Sequence, residues 1–201
     1  MRFISPKIDY AFKKIFGSNQ SKDILISFLN AIIYDGKNKI KSLTIIELEN
    51  QRQLGVLLDD KSTVIIEMKT DDVEDCKKQV LQNASKIYSA DENYLELRPV
   101  ISLTISDRLI FSNSDRTINQ FVFQERQDGF EYHKEKLCLI FVQLPNFKKT
   151  LSELETLTDK WIYFIKEAAF LEEIPPTLRE VPEIEKALNL ANEANFTVEK
   201  L

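Results

Sequence analysis

The branched aliphatic run Val64-Ile65-Ile66 passes without a break into Glu67-Met68-Lys69. An extended segment that is apolar on both faces belongs inside a sheet covered on both sides, so this run points to an α/β layered fold. Side chains alternate along a strand, so Glu67 and Lys69 leave the same face while the Met68 side chain enters the opposite, apolar layer. A carboxylate beside an ammonium group suits metal-assisted hydrolysis: the carboxylate holds a hard cation, and the positive charge helps to orient or activate water. The plainer explanation is that the strand ends there and its charges reach solvent.

The surrounding chain supports a sheet. Aliphatic and β-branched runs recur at residues 43–48 and 54–58, and the second forms a hairpin with 63–68 through the turn chemistry of Asp59-Asp60-Lys61-Ser62. Further strands are expected at 100–105 and 137–144, with a weaker one near 121–123. Helical spacing places Ile8, Phe12, Ile15 and Phe16 on one face of a helix over 7–16, with Pro6 suited to its first turn and Gly17 stopping it. Ser21 is the expected N-cap of a second helix that runs to Asp35-Gly36, making a helical hairpin over the sheet. Residues 74–88 form a further predicted helix, and 158–171 another, carrying Trp161, Phe164, Ile165 and Phe170. Pro175-Pro176 then interrupts, and helical spacing returns over 183–194. The expected architecture is a mixed central sheet with helices on both sides over residues 1–172, followed by a helical tail, 173–201, read as exposed or truncated.

A chain of 201 residues, 43% hydrophobic and 29% charged, suffices for one ordinary core. It has no apolar run long enough to span a bilayer and no secretory pattern at its start, so a cytoplasmic protein without a membrane partner is expected. Cys76 and Cys138 stand alone, which gives neither a disulfide framework nor a zinc site. The net charge of −5 gives no support to a broad nucleic-acid-binding surface and leaves room for local patches, such as Lys7, Lys13 and Lys14, or Lys37, Lys39 and Lys41. His133, the single histidine, lies in a polar segment and reads as a surface residue.

The opening Ser5-Pro6-Lys7-Ile8-Asp9-Tyr10-Ala11-Phe12-Lys13-Lys14-Ile15-Phe16-Gly17 resembles the signature of the PD-(D/E)xK nuclease family transposases, also called Rpn-family recombination-promoting nucleases. The likeness continues through Leu25-Ile26-Ser27-Phe28-Leu29-Asn30-Ala31, Ile65-Ile66-Glu67-Met68-Lys69, the segment 94–100, and Asp159-Lys160-Trp161-Ile162-Tyr163-Phe164. It implies a restriction-endonuclease-like core, Mg²⁺-dependent DNA cleavage and a role in recombination. Glu67 and Lys69 are the catalytic candidates, with Asp9 as an auxiliary acid. Glu67 and Met68 are the candidate metal positions. Lys13, Lys14, Lys78 and Gln79 are candidate DNA contacts. DNA is the implied partner, and assembly as a homodimer is left open.

The chain departs from that family at telling places. Relatives commonly carry a metal-binding aspartate fourteen residues before the glutamate; here that position is Gln53, and a two-residue shift reaches Gly55. An amide oxygen is a neutral ligand, so the site would hold one fewer negative charge and bind Mg²⁺ more weakly. An arginine of the family is Gln79, and its Glu-Leu-Pro-Lys-Phe reads Gln143-Leu144-Pro145-Asn146-Phe147. Other acids that could complete the site are Glu47 and Glu49, whereas Asp59 and Asp60 belong at the far end of the hairpin.

Overall fold

The computed structural model describes residues 2–48, 53–69, 99–131 and 137–192. The chain divides into two compact units, one made of Met1–Leu43 with Phe147–Leu201, the other of Thr44–Asn146.

The second unit is built on a sheet that has six strands among the described residues, in the order β1-β2-β3-β4-β6-β5. The strands are β1 (Leu43–Ile46), β2 (Gln53–Leu58), β3 (Thr63–Lys69), β4 (Val100–Ser106), β5 (Ile118–Val122) and β6 (Leu137–Gln143). β2 and β3 form the expected antiparallel hairpin, with Gln53 opposite Glu67. Asp60 stabilises the turn by accepting from the Ser62 amide at 2.9 Å, and Lys61 adopts the left-handed φ of 66° that closes it. β3, β4 and β6 run parallel, and β5 pairs antiparallel to β6, so the sheet is mixed and the α/β class holds. Parallel strands require a crossover. The one between β3 and β4 contains the predicted helix over 74–88, which lies outside the described residues, as does residue 133.

Register and alternation sort the sheet into two unlike faces. One carries Leu54, Val56, Val64, Ile66, Met68, Leu103 and Ile105, all buried. On the other face, polar groups interrupt the apolar ones: Gln53, Glu67, Thr104, Ser106 and Gln143 are all buried there. Gly55 also lies on this face, beside Ile65. A Cβ at Gly55 would sit 2.7 Å from Ile46 Cγ1 and 2.8 Å from Leu48 Cγ, so the position has no room for a side chain.

The first unit is helical: α1 (Asp9–Phe16), α2 (Lys22–Tyr34), α3 (Leu157–Glu167), α4 (Pro176–Arg179) and α5 (Pro182–Ala191). Its centre is aromatic. The Trp161 ring lies 5.9 Å from Phe16, 5.6 Å from Phe28 and 5.6 Å from Phe164, and its indole N–H donates to Ser27 Oγ. Buried Asn30 pins the chain after α2, donating to the Ile40 carbonyl and accepting from the Lys39 and Ile40 amides. Asp159 closes a capping box with Thr156 at the start of α3 and pairs with Lys149 at 2.8 Å.

Three expectations are corrected here. Ile8 is the N-cap of α1 rather than part of its buried stripe and is 54% exposed; Ala11 takes the inward place. Phe170 falls in a 3₁₀ turn after α3 and is 77% exposed. The segment after residue 172 is no appendage as far as Asn192. α5 buries Ile184, Ala187, Leu188 and Ala191 and lies against α1, α2 and α3, while the Ile4 amide donates to the Ala191 carbonyl at 2.8 Å. An amphipathic stripe of that width needs a partner, and the helical unit supplies it.

Candidate active site

Glu67 lies on β3, third from its end and in the interior of the sheet, and only 3% of its surface is exposed. Across the antiparallel ladder stands Gln53, the first residue of β2, whose Nε2 donates to Glu67 Oε2 at 3.5 Å. That distance is at the outer limit of a hydrogen bond, so the amide contributes weakly to holding the carboxylate. Across the parallel ladder stands Thr104, 1% exposed. Gln53, Glu67 and Thr104 therefore form one row over three strands, on one face of the sheet. The carboxyl ends of β3, β4 and β6 and the start of β2 meet at the same end of the sheet, where open α/β sheets bind their ligands.

Of the two positions considered for the family's missing acid, one lies directly opposite Glu67 in the register. It is Gln53, because Gly55 faces Ile65 and is filled over by Ile46 and Leu48. Lys69 ends β3 opposite Ser106, and of this residue only the backbone is described. Met68 is buried on the apolar face, so its thioether does not join Glu67; a soft sulfur would in any case suit a hard cation poorly.

The remaining candidates have structural places of their own. Asp9, Lys13 and Lys14 belong to the helical unit, the acid in the first turn of α1 and the two lysines in its last, which matches the signs of the helix dipole. Asp9 and Lys13 are exposed. Glu47 is exposed beyond the end of β1, and Asp59 and Asp60 are exposed at the hairpin tip. Glu49, Lys78, Gln79 and Cys76 lie outside the described residues. Cys138 is a free thiol on β6; burial pushes its pKa up, against a hydrogen bond from the Gln120 amide.

At this end of the sheet the surroundings of two residues escape a reading of the sequence. Thr104 is ordinary strand composition until the register places it beside Glu67. Gln143 reads as a lost charge, yet it is fully buried and its Oε1 accepts from the Ile110 and Phe111 amides, both at 2.7 Å. Its Nε2 reaches the Arg116 carbonyl at 3.4 Å, and Asn146 donates to the Ser114 and Arg116 carbonyls. The neutral amides thus fasten the loop between β4 and β5. A glutamate at 143 would have no donor for Arg116.

Among the described residues no group of three or more His, Cys, Asp or Glu side chains gathers around one point. The row still offers a carboxylate, an amide oxygen and a hydroxyl, all hard donors. Mg²⁺ keeps several of its waters and is commonly held by one or two carboxylates together with substrate phosphate, so the donor types fit it, with one charge fewer than a carboxylate pair.

The family model for PD-(D/E)XK nuclease family transposases matches residues 6–201. Among curated proteins and among solved structures, nothing matches. No helix among the described residues is long and apolar enough to cross a membrane. A match over nearly the whole length agrees with the mixed sheet and with Glu67 buried within it, and the chain belongs to the PD-(D/E)XK nuclease family transposases.

Proposed function

We propose that this protein is a metal-dependent DNA endonuclease whose cleavage is attenuated because, among the described residues, Glu67 is the one carboxylate in its site. The observation that carries this reading is the β2–β3 ladder, in which the Gln53 amide, and not a second acid, faces Glu67. Glu67, and the amide oxygen of Gln53 once the amide turns over from its long bond to Glu67, are the groups that would hold Mg²⁺. When bound, such a cation polarises a phosphoryl oxygen and makes water a better nucleophile at neutral pH. Glu67 fixes the site's negative charge at the sheet's carboxyl end. Lys69 supplies the positive charge that orients water beside it. Contacts to DNA fall to Lys13, Lys14, Lys78 and Gln79, local features on a chain of net charge −5. With Glu67 the one carboxylate of the Gln53–Glu67–Thr104 row, substrate phosphate adds to the cation's anionic coordination, so DNA and cation bind with positive coupling.

A plasmid-nicking assay with Mg²⁺ or Mn²⁺, run for the wild type and Glu67→Ala, tests this. Slow nicking that needs the cation and disappears in Glu67→Ala is expected. The second reading, a nuclease fold kept for DNA or protein binding without cleavage, rests on the same Gln53. It prevails if DNA is bound but neither protein cuts it.

A further inference from the structure

We infer that Thr104 is a third oxygen of the site, holding a cation-bound water beside Glu67. Three observations lead there. Thr104 pairs in register with Glu67 across the parallel β3–β4 ladder, so both side chains rise from the same face. It is 1% exposed, and its Oγ1 meets no hydrogen-bond partner among the described residues. A buried hydroxyl in that position carries the desolvation penalty of an unmade bond, which valine, of the same shape and equal fitness for a strand, would not carry.

The neighbours give the hydroxyl a direction. On the β6 side the row continues with Phe141, an apolar ring that offers no acceptor. On the other side it continues with Glu67 and then Gln53. Two residues along the strand, Ser106 is accounted for: its Oγ accepts from the Arg108 amide and donates to the Arg108 carbonyl, both at 3.1 Å. Among the described residues Thr104 has no such local use. Its one polar outlook along the row is toward the carboxylate, where a hydroxyl can accept from a coordinated water and hold it in place. Thr104 is thus a positioning residue, acting on the site through water.

This inference rests on the cation reading above. The test is calorimetric titration of the full chain with Mn²⁺, with thermal unfolding in the absence of divalent cation, for the wild type, Thr104→Val and Thr104→Ser. The same threonine variants are made in a Gln53→Asp background, where binding is stronger. Loss of an outer partner of a metal site weakens binding by about tenfold or more. Thr104→Val is expected to do so while unfolding no earlier than the wild type without cation, and Thr104→Ser is expected to restore binding. Unchanged Mn²⁺ affinity in Thr104→Val, with the parent binding, overturns the role of Thr104 alone. So does a cation-free Thr104→Val that unfolds well below the wild type, since that marks a hydroxyl needed by the fold. No Mn²⁺ binding even in Gln53→Asp overturns the cation reading and this inference together.

Discussion

Replacing Gln53 by aspartate should make the protein's stability depend on divalent cations. Gln53 Nε2 and Glu67 Oε2 are 3.5 Å apart, and both residues are largely buried. Aspartate is one methylene shorter, so two carboxylates would face each other at a slightly larger separation. With an effective dielectric constant near 20, like charges roughly 4–5 Å apart repel by about 3–4 kcal/mol. Part of that is relieved when one of the pair takes up a proton, which raises its pKa in the folded state. The folded variant then binds more protons than the unfolded chain above the ordinary carboxylate range, so its stability falls as pH rises. A loss of about 3 kcal/mol corresponds to roughly 6–12 °C in a domain of this size. Thermal unfolding of Gln53→Asp should therefore begin well below the wild type at neutral pH, recover toward acid, and recover again on adding Mg²⁺. The wild type should respond little to Mg²⁺ in the absence of DNA. If Gln53→Asp unfolds with the wild type and ignores both pH and cation, the two side chains do not share a site and the reasoning fails.

Other consequences concern residues outside the row. Asn30→Ala removes the partners of buried amide and carbonyl groups at Lys39 and Ile40 and should destabilise by about 2–3 kcal/mol, measured by urea unfolding. Gln143→Leu should leave the fold intact but speed hydrogen exchange at the Ile110 and Phe111 amides, which lose their acceptor; unchanged protection there would remove Gln143 as the fastening of the loop. Burial opposes the charge of Asp159, but hydrogen bonds from Lys149 and Thr156 outweigh it and hold its carboxyl below the usual range. The stability it contributes is present above the unfolded carboxylate pKa and is lost as pH falls through the folded one, so Asp159→Asn should flatten the acid limb of the pH–stability curve.

Some of this was legible in the chain and some was not, for physical reasons. The β3 run and its two closing charges follow from a period of two and the scarcity of buried charge, and the hairpin turn follows from its aspartates. Trp161 was readable as core because helical spacing alone brings it onto the stripe of Phe164 and Ile165. Ile8 and Phe170 were misplaced because a periodic pattern does not say which of its end members still has a helix beneath it. The segment 182–191 looked detached because the prolines before it interrupt the chain, while what holds it is contact with helices encoded more than a hundred residues earlier. Gln53 stands out through the resemblance, which implies an acid fourteen residues before Glu67, and the register sets Gly55 opposite Ile65 instead. Thr104 could not be seen at all: its meaning depends on the pairing of β4 with β3, across a connection of thirty residues. Gln143 reads in the sequence only as a missing charge, because the Ile110 and Phe111 amides that it receives lie more than thirty residues away.

The central claim, a nuclease site slowed by one absent carboxylate, is tested most directly by the ratio of Mg²⁺-dependent nicking rates of Gln53→Asp and the wild type. If restoring the acid recovers about 3 kcal/mol of stabilisation in the transition state, the variant cuts roughly 100-fold faster. Equal rates, or a wild type that outpaces Gln53→Asp, would contradict the account.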